Sequence, residues 1–176
     1  MSAATIAEIK AAIRDVPNFP KPPVIFKDIT PVLQQPRLFR AAVDVFVDRH
    51  SGHKPDAIVG IDARGFIFAG AVAYQLGVAF VPVRKKGKLP YKTIEASYEL
   101  EYGRETLSMH IDAVKPGERV VIVDDVLATG GTAATAAKLV EQLGGKVAEC
   151  DFLIELKFLS GAAKLAKYSM FAALSY

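Results

Sequence analysis

The most informative segment of the chain is Val120-Val-Ile-Val-Asp-Asp-Val-Leu-Ala-Thr-Gly-Gly-Thr132. Its four leading aliphatic residues predict a strand that is buried on both faces, as is typical of parallel sheets. Two carboxylates follow that run, and a short loop of small residues then leads into a predicted helix. In open α/β sheets, ligands bind at the carboxyl ends of the strands. We therefore expect a ligand site where this strand ends.

The loop that follows the two carboxylates has the composition of an anion site. Backbone N–H groups at a helix N-terminus bind phosphate, glycine lets the main chain approach the anion, and Thr129 and Thr132 add hydroxyl donors. Asp124 and Asp125 would repel a phosphate, so we expect them to contact a neutral diol or a metal ion. A ribose 5-phosphate meets both requirements. An ordinary βα turn is the plain alternative, while Walker and Rossmann glycine fingerprints are absent from the sequence.

Strands and helices alternate on both sides of this segment. Apolar runs predict strands at 56–61, 79–84, 119–125, 147–156 and 170–174, and helices at 65–76 and 131–143. We expect a polar loop to about residue 97, and then a hairpin over residues 98–110 that turns at Gly103. This alternation predicts an α/β fold with a parallel sheet covered by helices on both faces.

The N-terminal part of the chain follows a different pattern. Ile6, Ile9 and Ile13 recur at helical spacing and predict a helix over residues 5–14, and a second helix is expected at 37–49. The prolines at 17, 20, 22 and 23 predict a stiff, irregular loop over residues 17–28. We find no signal-peptide core and no apolar run near the roughly 20 residues that a membrane span needs.

Composition narrows the class of protein further. A length of 176 residues suits one domain, and a net charge of +3 is too weak to favour nucleic acid but suits a small polyanionic substrate. Cys150 is the only cysteine, which excludes an internal disulfide and favours a reducing compartment. We expect it in the core rather than as a reactive thiol. His50, His53 and His110 match no motif, so we expect structural or exposed histidines and no protein metal cage.

Five segments, taken in order, resemble the type I phosphoribosyltransferases. They are Phe19-Pro20 with Phe26-Lys-Asp-Ile-Thr-Pro31, Gly60-Ile-Asp-Ala-Arg-Gly-Phe66, Arg84-Lys-Lys-Gly-Lys-Leu-Pro90, Ala96-Ser-Tyr-Glu-Leu-Glu-Tyr-Gly103 and the segment 120–132. The resemblance covers nearly the whole chain and implies a mainly parallel twisted sheet flanked by helices, as a single domain over 1–176. It implies a small hood from about residues 1–35 and a flap at about 85–105. The sequence departs from the family at Pro23 and Tyr91, where glycine is common.

The resemblance is greatest to the members that use adenine, and it implies an enzyme of purine salvage. Such an enzyme transfers the 5-phosphoribosyl group from phosphoribosyl pyrophosphate to adenine, which gives AMP and pyrophosphate. The family also implies a cytoplasmic homodimer without nucleic-acid or membrane partners, and Mg²⁺ held mainly by pyrophosphate and water. Two alternatives remain: a different base such as hypoxanthine, xanthine or orotate, or a regulatory module that binds phosphoribosyl pyrophosphate. The Glu101-Tyr102 pair and the lack of length for a DNA-binding domain disfavour them.

The resemblance also implies roles for individual residues. The implied catalytic residues are Glu101, which would assist proton transfer, and Asp124 and Asp125, which would hold the ribose hydroxyls. The implied adenine site comprises Val24, Ile25, Phe26, Arg64 and Leu156. Phosphoribosyl pyrophosphate and AMP would contact Ala63, Arg64, Arg84, Lys85, Lys88, Tyr102, Asp124, Asp125, Ala128, Thr129, Gly130, Gly131 and Thr132. The plain alternatives are core packing for Phe26 and Leu156, a solvated face for the lysines, a structural ion pair for Arg64 and a surface acid for Glu101.

Overall fold

The computed structural model describes residues 5–99 and 103–176. Within it the chain forms two compact units, Met1–Phe46 and Val47–Tyr176. The boundary between the two units falls inside one long helix, Pro36–His50. The first unit contains the proline-rich segment, and the second contains the segment 120–132.

The first unit begins with helix α1, Ile6–Ala12, because Thr5 and Glu8 form a capping box. Strands β1, Arg14–Pro17, and β2, Ile25–Asp28, form an antiparallel pair. Helix α2, Thr30–Leu33, follows, and α3, Pro36–His50, starts in this unit. The predicted helix at 37–49 is therefore confirmed, and α2 was not expected.

The expectation of an irregular loop over residues 17–28 is wrong at both ends. Pro17 pairs with Ile25, and Arg14 pairs with Asp28, so the segment is a hairpin. Proline is tolerated there because Pro17 ends its strand and the other three prolines lie in the connecting turn. The strand pairing also ends α1 at Ala12, two residues earlier than expected.

The second unit contains the α/β repeat. Its elements are β3 Ala57–Ile61, α4 Gly65–Leu76, β4 Ala79–Lys85, β5 Thr93–Glu99, β6 Arg104–His110, β7 Arg119–Leu127, α5 Gly131–Gln142, β8 Lys146–Glu155, the 3₁₀ helices Lys157–Leu159 and Gly161–Leu165, and β9 Met170–Ser175. Apart from the hairpin, the predicted strands and helices of this part are confirmed to within two residues at each end.

Among the described residues, seven of these strands form one sheet in the order β5-β6-β4-β3-β7-β8-β9. The pairs along β4-β3-β7-β8-β9 are parallel, while β5 and β6 form an antiparallel hairpin at one edge. The polar loop expected to residue 97 is wrong, because β5 starts at Thr93 and pairs with β6 along its whole length. The mainly parallel sheet is confirmed.

Alternate residues of β3 face two different helices. Val59 belongs to the core cluster that contains Ala136 and Leu139 of α5. Gly60 faces the other way, since an added Cβ there would lie 2.7 Å from Cβ of Ala69 in α4. Helices therefore cover both faces of the central strands. In the described part of the chain, no helix has the length and apolar character required to span a membrane.

Candidate active site

The carboxyl ends of two neighbouring parallel strands form the candidate site. β3 and β7 pair with Gly60 opposite Val123, so both strands end at the same edge of the sheet. β3 leads through residues 62–64 into α4, and β7 leads through residues 128–130 into α5. Each helix therefore directs its N-terminal N–H groups and the positive end of its dipole toward this edge. Two loops suited to anions lie side by side as a result.

The loop after β7 encloses a small pocket of about 70 Å³. Its lining comprises Asp124, Val126, Leu127, Ala128, Thr129, Gly130, Thr132, Ala133 and Phe152. Four of the five residues expected to hold a phosphate therefore share one lining with a carboxylate expected to hold ribose. The fifth, Gly131, lies against the ring of Tyr98 instead, whose Cδ2 would be 2.6 Å from a Cβ added at Gly131.

Gly130 is required for a reason beyond the close approach of the main chain to an anion. Its φ of +76° lies in the left-handed region that favours glycine, and an added Cβ would collide with the carbonyl oxygen of Gly161. A Cβ on Gly161 would in turn collide with the carbonyl oxygen of Ala128. The loop is thus packed directly against the 3₁₀ helix Gly161–Leu165. No local motif marks Gly161, so sequence reasoning missed it.

Asp124 lies on the wall of this pocket and next to the first residue of α4. Its Oδ1 accepts a hydrogen bond from the Asp125 N–H at 2.9 Å, and it would lie 2.6 Å from a Cβ added at Gly65. Burial raises the pKa of the Asp124 carboxyl well above its usual range, and the neighbouring charge of Asp125 raises it further. The absence of a side chain at Gly65 is what makes room for this carboxylate.

Asp125 is in a different environment from Asp124. It is 4% exposed, and its Oδ2 lies 2.7 Å from Nε of Arg64, the residue that precedes α4. Burial raises the pKa of Asp125, and the Arg64 guanidinium opposes that effect. The structural ion pair that the sequence left open for Arg64 is therefore present. Asp125 is not part of the pocket lining, so the two acids do not present equivalent groups to one ligand.

The basic residues expected to bind pyrophosphate lie at the end of β4 and in the turn after it. Arg84 Nε is 2.8 Å from Oδ2 of Asp62, and its Nη1 donates to the Lys88 carbonyl at 3.0 Å. Asp62 is joined to Ala63 by a cis peptide bond. These contacts bring Arg84 beside the loop that contains Ala63 and Arg64. Lys85 follows Arg84, and its Nζ forms an exposed ion pair with Oε1 of Glu105 in β6 at 2.9 Å.

The range predicted for the flap, about residues 85–105, overlaps the hairpin of β5 and β6. Glu101 and Tyr102 lie outside the described residues, so their predicted roles stay predictions. The strands that flank them are described, and Tyr98 of β5 contacts the first turn of α5. Its hydroxyl is 2.8 Å from Oγ1 of Thr132. Tyr98 belongs to one of the family-like motifs of the sequence, but the motif alone predicts no role for it.

The residues expected to read the adenine edge lie in the first unit. Val24 N–H donates to the Lys21 carbonyl at 3.0 Å, and the Val24 carbonyl accepts from Phe19 N–H at 3.2 Å. Both backbone groups of Val24 thus close the turn between β1 and β2. The Phe26 ring meets the Phe19 ring edge-on, with centroids 5.2 Å apart, and Ile25 is 53% exposed.

Leu156, the other residue expected at the adenine ring, directly follows β8 in the second unit. Its N–H donates to the Leu127 carbonyl at 2.9 Å, and its side chain is half-buried. That hydrogen bond places Leu156 beside the start of the phosphate loop. The position follows from the parallel pairing of β7 and β8.

A cluster on the opposite side of β8 from Phe152 contains the buried His50 and Asp151 and the half-buried Glu149. His50 Nε2 is 2.6 Å from Asp151 Oδ2, and both Glu149 oxygens accept from Arg49 at 2.6 and 2.7 Å. Burial raises the pKa of Asp151, and the hydrogen bond from His50 opposes it. Because an arginine already engages Glu149, this is an ion-pair cluster rather than a metal centre. Cys150 is buried in the core on the Phe152 side of β8, and burial raises its pKa to about 12.

Comparisons with known proteins agree with this geometry. A family profile described as phosphoribosyl transferase domain matches residues 28–168. An adenine phosphoribosyltransferase of Acidothermus cellulolyticus is 55% identical over 166 residues, which are 94% of each chain. The chain belongs to the adenine phosphoribosyltransferase family.

Solved structures of this family have the same fold. Adenine phosphoribosyltransferase from Thermoanaerobacter pseudethanolicus is 51% identical, with a TM-score of 0.95 over 98% of this chain and 100% of that one. The Saccharomyces cerevisiae member, crystallised with an imino-altritol bisphosphate and adenine, is 42% identical, with a TM-score of 0.91 over 96% and 97%. The predicted type I phosphoribosyltransferase fold is therefore confirmed, and the chain is an enzyme of the transferase class.

Proposed function

We propose that the edge formed by β3 and β7 transfers the 5-phosphoribosyl group from phosphoribosyl pyrophosphate to adenine, giving AMP and pyrophosphate in purine salvage. The observation that carries this proposal is the single pocket lining that joins the loop before α5 to the Asp124 carboxylate. A ribose 5-phosphate offers an anion to the loop and a neutral diol to the acid. Adenine as the acceptor base is supported by the names of the similar enzymes and by the adenine in the yeast complex.

The phosphate loop acts by anchoring the substrate away from the reacting carbon. The N–H groups of residues 128–132 and the hydroxyls of Thr129 and Thr132 are the donors. Charge-assisted hydrogen bonds contribute roughly 1.5–3 kcal/mol each, so several of them form a firm hold on the 5-phosphate. Binding energy from this remote group can then be used to orient the ribose for reaction.

The reaction breaks the bond between the ribose anomeric carbon and a pyrophosphate oxygen, and it forms a bond to an adenine nitrogen. Positive charge develops on the sugar, as in glycosidic cleavage. A desolvated carboxylate at Asp124 stabilises that charge strongly, and it also accepts a hydrogen bond from a ribose hydroxyl. Asp125 acts beside it through its ion pair with Arg64. Glu101 assists removal of the proton from the adenine imidazole ring.

Pyrophosphate is the leaving group, and it binds the second loop and the basic residues after β4. We assign its contacts to Ala63, Arg64, Arg84, Lys85 and Lys88, with Tyr102 closing over the substrate from the flap. Mg²⁺ fits this edge of the sheet. It prefers hard oxygen ligands and keeps several bound waters, and the Asp124 carboxylate can accept hydrogen bonds from such waters. Bound to the pyrophosphate oxygens, the ion would neutralise charge on the leaving group.

Adenine is read by the main chain near Ile25 and Phe26. The adenine edge carries an amine donor beside an acceptor nitrogen, which backbone carbonyl and N–H groups match. Val24 contributes by closing the turn that holds these groups. We also assign to the base the side chains of Phe26, Leu156 and Arg64, as the family resemblance implies.

The family supports a cytoplasmic homodimer in which some basic residues after β4 reach the partner's site. Light scattering on the purified chain tests the oligomeric state: a mass near twice the 19.0 kDa of one chain is expected. A monomer with full activity would exclude any contribution from a partner chain.

The reaction is tested by incubating the protein with Mg²⁺, phosphoribosyl pyrophosphate and one base at a time. We expect AMP and pyrophosphate with adenine and far less nucleotide with hypoxanthine, xanthine or orotate. Nucleotide formed mainly from another base would overturn the assignment of adenine. Tight binding of phosphoribosyl pyrophosphate without nucleotide from any base would identify a regulatory module instead.

A further inference from the structure

Tyr98 connects the flap hairpin to the phosphate loop. It lies near the end of β5, and its hydroxyl is 2.8 Å from Thr132 Oγ1. Thr132 is in the first turn of α5 and lines the pocket assigned to the 5-phosphate. One side chain therefore contacts both the flap and the phosphate site.

The ring of Tyr98 is fitted closely to that turn of helix. A Cβ added at Gly131 would lie 2.6 and 2.9 Å from its Cδ2 and Cε2 atoms. Ordinary Cβ atoms do not approach ring carbons so closely, so any larger residue at 131 would displace the ring. The missing side chain at Gly131 thus makes room for Tyr98 rather than for the anion.

The direction of the hydroxyl–hydroxyl hydrogen bond has a chemical consequence. Thr132 has one proton and two acceptor lone pairs. If it donates to Tyr98, its oxygen turns a lone pair toward the anion, which is repulsive. If Tyr98 donates, the Thr132 proton is available for a phosphate oxygen, and the two bonds strengthen each other as a chain.

We propose that Tyr98 is a positioning residue that donates to Thr132, directs the Thr132 hydroxyl to the 5-phosphate and so links phosphate binding to the flap. The proposal rests on the assignment of the 5-phosphate to the loop at residues 128–132. In this arrangement the conformation of the hairpin depends on the phosphate end of the substrate, because the Thr132 hydroxyl bonds both Tyr98 and the 5-phosphate.

Removing only the hydroxyl tests this role, since Tyr98→Phe keeps the ring against Gly131. We expect AMP affinity to fall about 5- to 10-fold, the usual effect of one lost hydrogen bond. The KM for phosphoribosyl pyrophosphate should rise by a similar factor, while adenine affinity and kcat change less than twofold. Tyr74→Phe is the matched control, because Tyr74 is an exposed tyrosine on α4. Thermal unfolding of each variant reports whether the fold is kept.

A double-mutant cycle with Thr132→Val separates positioning from general packing. In the Thr132→Val background, which has no hydroxyl at position 132, Tyr98→Phe should not weaken AMP binding further. In the Thr132→Ser background, which keeps a hydroxyl, Tyr98→Phe should again weaken AMP binding. Equal losses in both backgrounds, or an equal loss of adenine affinity, would overturn the proposal. If Thr132→Val weakens AMP binding and Tyr98→Phe does not, the Tyr98 proposal fails while the phosphate loop stands. If Thr132→Val leaves AMP affinity unchanged, the phosphate assignment itself is wrong.

Discussion

At the scale of single residues, the two acids that end β7 show how neighbours acquire different chemistry. Asp124 lines the pocket and has a carboxylate beside it, whereas Asp125 is buried against the guanidinium of Arg64. The sequence predicted both as ribose ligands, because adjacent identical residues carry no information about which neighbours each will meet. The start of α4 distinguishes them, because Gly65 lies next to Asp124 whereas Arg64 pairs with Asp125.

Asp124→Asn should stabilise the ligand-free protein and impair the reaction. The amide can still accept from the Asp125 N–H, but it removes a desolvated charge and its repulsion with Asp125. We expect a higher Tm at neutral pH together with a fall in kcat of about 10²-fold or more, the range seen when one stabilising group at a developing charge is lost. Asp125→Asn is the matched variant, and it should raise Tm less than Asp124→Asn does, because the Arg64 guanidinium offsets part of the cost of burying the Asp125 charge. Equal Tm shifts for the two variants would contradict this distinction.

The raised pKa of Asp124 predicts that the stability gained by Asp124→Asn depends on pH. The pKa of Asp124 is raised in the folded state above its unfolded value of 3.8. As pH rises between these two pKa values, the unfolded chain loses a proton that the folded chain keeps, so stability falls. The Tm advantage of Asp124→Asn over wild type should therefore be small at pH 4 and grow toward neutral pH. A constant advantage across this range, measured by calorimetry, would show that the raised pKa does not contribute.

At the scale of elements, strong hydrophobic runs were predicted well and backbone contacts between loops were not. The helix at 65–76 follows from an uninterrupted apolar pattern and is present with those bounds. β5 was missed because its residues are mostly polar, although Ile94, Ala96 and Tyr98 alternate toward the core. The contact of Gly130 with Gly161 joins residues far apart in sequence, so no local pattern could have indicated it.

Gly161→Ala should deform the phosphate loop. The new methyl group would collide with the Ala128 carbonyl and lie 2.9 Å from Gly130 N, and both groups are backbone atoms that cannot rotate away. We expect AMP affinity to fall at least 10-fold while adenine affinity is kept. Gly52→Ala is the control, because a Cβ there meets nothing within 4 Å. Equal AMP affinities for the two variants would mean that the loop shape does not depend on Gly161. Gly130→Asp is a poor test of anion binding, since it strains the same contact.

The hydrogen bond between α3 and β8 should matter for stability rather than for catalysis. His50→Ala leaves Asp151, which is fully buried, without its imidazole partner, and broken buried pairs cost about 3–5 kcal/mol. Urea unfolding should show a loss of this size, and the folded fraction should keep its kcat because Asp151 and Phe152 lie on opposite faces of β8. A loss below about 1 kcal/mol, the scale of a surface pair, would contradict the role of this bond.

At the scale of the whole molecule, the proposed function assigns base choice to the first unit and phosphate binding to the second. The turn between β1 and β2 is held by the Val24 hydrogen bonds and by Pro20, Pro22 and Pro23. Such a turn loses little entropy on binding a base. A wrong base leaves buried groups unpaired at roughly 1–3 kcal/mol each. Two mismatches correspond to a discrimination of about 30-fold to 10⁴-fold.

Loosening this turn should reduce selectivity for adenine over hypoxanthine. The double variant Pro22→Gly with Pro23→Gly should lower the ratio of the two kcat/KM values, because glycine widens the conformations open to the main chain. Ile25→Ala should leave the ratio nearly unchanged, since backbone groups do the reading and the side chain is half exposed. The opposite pattern, with a collapse only in Ile25→Ala, would show that side chains select the base.

The contact between Gly130 and Gly161 has a consequence for how the enzyme becomes active during synthesis. A nascent chain that has left the ribosome only as far as Glu155 already contains β3, β7 and α5. It lacks the 3₁₀ helix at Gly161–Leu165 against which the phosphate loop packs, and it lacks the strand β9 that pairs with β8. Such a chain can begin to assemble its sheet, but we expect it to acquire AMP affinity only after residue 161 has emerged. Ribosome-stalled chains of increasing length, probed with a fluorescent AMP analogue, would locate that step.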